Sequence, residues 1–259
     1  MIEVTAAQLD AWLAAFMFPI ARLLGLFASA PLWSNRGIPV RVRLAAGLAI
    51  ALAVLPALPD MPAVPTDSWD ALGILMHQAL IGAAIGFMMR LMFAAVDVAG
   101  EMIGLQMGLS FAIFFSPTTG GQTSVIAEFL GLLALLVFLA LDGHLMLVGV
   151  LVKSFKWLPV GAATARDGWM VIVSHAALMF TAGVLMALPM VATLLIANIA
   201  LGILTRAAPQ LNLFAVGFPV TLTVGFLVLF LSLTVIGPAL HRLFERGFAG
   251  IDALLRALA

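Results

Sequence analysis

Apolar runs long enough to cross a bilayer follow one another through almost the whole chain, with ionisable residues set inside them. A spanning helix needs about 20 apolar residues at 1.5 Å each. Only helices and closed barrels keep every backbone group hydrogen-bonded in lipid. The runs here are rich in Leu, Ala and Met and lack strand alternation, so the chain reads as all-α and polytopic. Charge content agrees. Only 9% of residues are charged and 64% are hydrophobic, whereas a soluble domain carries charge on about a quarter of its residues. Charges kept in apolar surroundings are costly, so Arg90, Asp97, Glu101, Glu128 and Asp142 each need a reason.

The runs predict six hydrophobic segments, at 12–33, 41–55, 70–109, 124–152, 171–205 and 213–236. An amphipathic tail follows at 240–258, and the whole of 1–259 reads as a single domain. Pro56, Pro59, Pro62 and Pro65 end the second segment, and Pro189 predicts a kink in the fifth. The acidic opening lacks a basic n-region, so the first segment is expected to stay as a helix. Arginine and lysine fall about equally on the two sides of this layout, and the charge rule therefore assigns no orientation. Either the number of spans differs from this layout, or the helices do not all cross the bilayer in the ordinary way.

The third segment is about twice as long as one crossing requires. Arg90, Asp97 and Glu101 lie at i, i+7 and i+11, which is one helix face. Their spacing predicts a structural ion pair between helices or charges exposed outside the membrane plane, with a proton or ion relay as the rival. Gly100, Gly104 and Gly108 form a doubled G-x-x-x-G, and Gly82 with Gly86 forms another. Small residues at this spacing let helix backbones approach closely.

The composition excludes several functions. Twelve basic and twelve acidic residues cancel, and no basic face exists for nucleic acid. Without cysteine there is no thiol nucleophile, disulfide or zinc-thiolate site. No H-E-x-x-H, G-x-S-x-G or phosphate-binding glycine loop occurs. His77, His144, His175 and His241 stand apart from paired carboxylates. No cofactor or metal is expected, and the chain reads as non-enzymatic.

One loop stands out. Phe111, Phe114 and Phe115 follow Met107 and precede Pro117 and the pair Gly120-Gly121. Irregular backbone at membrane depth is tolerated only inside protein or along a cavity. This stretch is either a hydrophobic constriction or a packed re-entrant turn.

Three stretches then stand together. One is an opening hairpin with Arg22, Pro31, Pro39, Arg41 and Arg43. Another is Leu141-Asp142-Gly143-His144, followed by Ser154-Phe155 and Leu158-Pro159-Val160-Gly161. The last is the polar turn Pro209-Gln210-Leu211-Asn212 between two apolar helices. In these residues, in length and in segment order, the chain resembles the FliR family of flagellar type III export-gate proteins. The virulence-secretion SctT family is the near relative, and Asp142-Gly143-His144 favours the flagellar branch.

The resemblance implies a structural subunit of the inner membrane and flagellar basal body, projecting in part to the periplasmic side. A single FliR-like copy would join FliP-like and FliQ-like subunits in a helical cone, resembling a fused FliP-plus-FliQ protomer. An FlhB-like switch protein would contact it, and unfolded flagellar proteins would pass through the pore. The stretch 108–122 maps onto the plug that closes that pore. The alternatives are an injectisome gate subunit of the SctT type and a secondary transporter using Arg90, Asp97 and Glu101.

Overall fold

A capping box starts the first helix. Thr5 Oγ1 accepts from Gln8 N at 3.3 Å, and Gln8 Oε1 accepts from Thr5 N at 3.1 Å. Two backbone donors that a helix start would leave orphaned are thereby satisfied. The computed structural model describes residues 5–34, 39–59, 61, 64–65, 68–109, 124–208 and 213–259.

Among the described residues the elements are helical throughout. They are α1 Ala6–Ser29, α2 Val40–Val54, α3 Trp69–Gln106, α4 Val125–Ala140, α5 Gly143–Trp157, α6 Met170–Ala207 and α7 Leu213–Leu258. One-turn 3₁₀ segments lie at Leu55–Ala57 and Arg166–Trp169. Ser68 starts α3 by accepting from Ala71 N at 3.1 Å. Among the described residues five helical stretches are long and apolar enough to cross a membrane, or six if α4 and α5 count together as one broken span. At 38 residues, α3 is about 57 Å long, well beyond a ~30 Å hydrocarbon core.

Two boundaries differ from the sequence prediction. The fourth segment, predicted over 124–152, is two helices broken at Asp142. That residue holds the left-handed conformation, φ 55° and ψ 24°. Asp visits this region more readily than most residues because its short polar side chain can bond locally. The second difference is at the end. The predicted sixth segment and amphipathic tail form one 46-residue helix, α7, which accommodates Pro238 in its interior. Pro189 likewise lies inside α6, which continues through it.

The chain folds as two compact units. One comprises Met1–Leu91, Asp142–Ala176 and Glu245–Ala259, and the other Met92–Leu141 and Ala177–Phe244. In the first, α1 lies against the opening half of α3. Between lipid-facing helices little hydrophobic force operates, so close van der Waals packing decides association. A Cβ on Gly25 would overlap the Ala79 carbonyl, and one on Gly82 would overlap the Arg22 carbonyl. Ser29 Oγ bridges the same crossing by donating to Ala83 O at 2.9 Å. The core of this unit includes Phe18, Leu26, Phe27, Ile85, Met88, Leu151, Phe155 and Leu254, all nearly inaccessible.

In the second unit α3 meets α4 through Gly100, where a Cβ would strike Ala127, and through Gly104, which lies on Ser124. Gly183 of α6 rests on Ala95 and Val98. Phe93, Phe138 and Phe244 form a three-ring cluster with centroids 5.2–5.5 Å apart. Edge-to-face and offset rings of this kind add about 0.5–1.5 kcal/mol per pair beyond burial.

Candidate functional site

Arg22 is fully buried in the first unit. Its Nε donates to Gln78 Oε1 at 2.8 Å, and its Nη2 donates to that same oxygen. Nη1 donates to Ser154 Oγ at 2.9 Å, and Nη2 also donates to Leu158 O at 2.9 Å. The guanidinium carbon lies 3.9 Å from the Phe155 ring centroid. Ser154 Oγ passes the chain on by donating to Leu151 O at 2.6 Å. A guanidinium presents five donors in a rigid fork, and burying one costs several kcal/mol unless those donors are met. Here neutral oxygens and an aromatic face meet them. The outcome is a polar tie that joins α1, α3 and α5 at one point.

The residues of this tie include stretches that carry the family resemblance. Arg22, Ser154-Phe155 and Leu158 are far apart in sequence and meet in space. Gln78 was not singled out by the sequence. The available signal was an amide beside His77 within an otherwise apolar run. Gly25, also missed, sits four residues before Ser29, a small-x-x-x-small spacing on α1.

Of the predicted packing glycines, Gly82, Gly86, Gly100 and Gly104 all lie at close helix crossings. Gly108 differs. It takes φ 80° beyond the end of α3, with Phe218 of α7 near it, and so belongs to the turn that leaves the helix. Met107, predicted to line the constriction, is buried, and its side chain fills the space over Gly225 of α7. Phe111, Phe114, Phe115 and Pro117 lie outside the described residues, as do Pro209, Gln210 and Asn212.

Of the two structural readings of Arg90, Asp97 and Glu101, exposure describes the first two. Arg90 and Asp97 are exposed, and Asp97 lies near Gly131 of α4. Glu101 accepts from Ser124 N at 2.9 Å and so caps the start of α4. A carboxylate at a helix N-terminus is favoured by the orphaned amides and the dipole. Sharing one face of a helix did not place the three at one depth. Asp142 and Gly143 form the turn between α4 and α5, and His144 buries its Nδ1 without a hydrogen-bond partner among the described residues. Among those residues, no three His, Cys, Asp or Glu side chains are grouped as a metal set.

Large apolar side chains remain uncovered in the second unit. On α6, Phe180, Leu188, Ile196 and Ile203 are more than half exposed. The same holds for Phe226, Phe230, Leu231 and Val235 on α7. Such faces are far larger than a soluble monomer leaves open.

The family model described as bacterial export proteins, family 1, matches residues 13–247. The flagellar biosynthetic protein FliR of Escherichia coli (strain K12) is 42% identical over 249 residues, covering 96% of this chain and 95% of its own. That of Pectobacterium carotovorum subsp. carotovorum is 43% identical with the same coverage. FliR of Bacillus subtilis (strain 168) is 32% identical over 236 residues, 89% of this chain and 90% of its own.

Proposed function

Because the chain belongs to family 1 of the bacterial export proteins, as a membrane component of flagellar protein export, we propose that it builds and closes part of the export pore. The observation that carries this reading is the apolar surface left open along α6 and α7. Lipid alone would cover one side of such helices. Tightly packed neighbours, FliP-like and FliQ-like, would cover the rest and place this subunit in a pore wall. An FlhB-like protein would contact the assembly, which sits in the inner membrane and projects in part to the periplasmic side. The subunit does no chemistry of its own. Energy for transport comes from elsewhere in the apparatus.

Within that pore, Phe111, Phe114 and Phe115 form the closing element. A hydrophobic collar excludes ions because entering it strips their water, while a loop can still yield to an incoming polypeptide. Support for this comes from the packing of the residues that flank 110–123. Met107 is packed over Gly225, and Ser124 is held by Glu101 and Gly104. The test is to change Phe111, Phe114 and Phe115 to glycine and measure ion conductance in cells. An assembled but leaky gate is expected. Lost assembly without a leak would instead assign the loop to packing.

A further inference from the structure

An open pocket of about 480 Å³ lies in the first unit where α5 and α7 end, lined by Lys156, Trp157, Arg256 and Ala259. Lys156 is in the last turn of α5 and Arg256 in the last turn of α7. The Arg256 guanidinium sits 5.5 Å from the Trp157 ring centroid. Both cations are exposed, and neither is paired with an acid among the described residues. Asp252, one turn before Arg256, makes no ion pair with it. Ala165 N donates to Leu258 O at 3.0 Å, which brings the backbone beside Arg166 to the same end of α7.

Favourable helix dipoles account for a cation at each C-terminus. They do not account for two cations converging with an indole on one concavity. The remainder of α5 narrows the choice of ligand. It exposes Leu145 and Met146 outward and then ends in Lys153, Lys156 and Trp157. An apolar stem finished by Lys and Trp is the pattern of a helix leaving hydrocarbon at the headgroup level. An acidic segment of a protein partner would not call for that stem. We propose that this pocket binds the phosphate of an anionic lipid headgroup, with Lys156 and Arg256 as its cationic donors and Trp157 as its interfacial wall.

The experiment uses the full chain with whatever subunits co-purify with it. Binding of phosphatidylglycerol and of phosphatidylcholine with matched acyl chains is measured by native mass spectrometry in non-ionic detergent. The expected result is preferential retention of phosphatidylglycerol. Changing Lys156→Gln and Arg256→Gln together should weaken it by roughly thirtyfold, about fivefold for each cation. Lys153→Gln, outside the pocket lining, should weaken it less than either pocket change made singly. If the double glutamine variant does not fold, Lys156→Arg with Arg256→Lys keeps both charges and should keep the preference. Equal binding of the two lipids overturns the proposal, as does a double variant that retains phosphatidylglycerol. Competition by inorganic phosphate as strong as by the lipid would make this a free-anion site instead. Loss of the preference on adding an acidic partner subunit, with no lipid retained, would assign the pocket to protein contact.

Discussion

Arg22 Nη1 donates to Ser154 Oγ at 2.9 Å in a fully buried interior, across 132 positions of sequence. The bond closes a contact among α1, α3 and α5 that also takes in Gln78, Leu158 and the Phe155 ring. Among the described residues no carboxylate takes part, so the guanidinium is stabilised by geometry and neutral oxygens. Its arrangement works only while all partners are present.

Arg22→Ala should therefore destabilise strongly. It orphans Gln78 Oε1 and Leu158 O, and leaves Ser154 Oγ without its donor. Each buried orphan costs about 1–3 kcal/mol, so a loss on the order of 3–5 kcal/mol is expected. Replacing Arg22 and Gln78 together by leucine should cost less than the two single changes added, because the Gln78 oxygen is then not left without its donors, although Leu158 O still is. Thermal unfolding in detergent, read as a double-mutant cycle, measures this. Strict additivity would show that the two side chains act independently.

Two glycines of α3 should respond in opposite directions. A methyl on Gly82 would overlap the Arg22 carbonyl, whereas one on Gly73 meets nothing within 4 Å. Gly82→Ala must push α1 away and should cost about 1–3 kcal/mol, the usual range for overpacking. Gly73→Ala removes only backbone freedom and should stabilise by about 0.5–1 kcal/mol. Midpoint shifts of the same sign for both would contradict the close crossing.

Glu101→Ala should loosen the start of α4. Its carboxylate accepts from Ser124 N, and losing a cap costs on the order of 1 kcal/mol. Amides of residues 124–128 should exchange faster with solvent deuterium. Glu101→Gln keeps an acceptor oxygen and should restore most of the protection. If alanine leaves exchange unchanged, Glu101 is not the cap.

The sequence made the helices legible because length and apolarity alone fix them in lipid. The close crossings at Gly82, Gly86, Gly100 and Gly104 were legible too, since i+4 spacing places small residues on one ridge. Asp142 was not. One residue in the left-handed region breaks a helix without interrupting an apolar run, and no proline marks it. Continuity of α7 through Pro238 was hidden for the opposite reason, because a proline usually signals a stop. The Arg22 tie lay beyond reach, as its partners stand 56 and 132 positions away and only the fold brings them together. For Arg90, Asp97 and Glu101 the spacing speaks only of a helix face, not of what surrounds each side chain. Depth depends on what packs there, and two of the three face outward.

The most direct measurement of the central claim is the mass of the detergent-extracted chain under native conditions, alone and after co-expression with FliP-like and FliQ-like subunits. Its uncovered α6 and α7 faces predict a polydisperse species alone and one large, discrete hetero-oligomer on co-expression. A monodisperse monomer in both cases, carrying neither partner, would contradict a role in building the export pore.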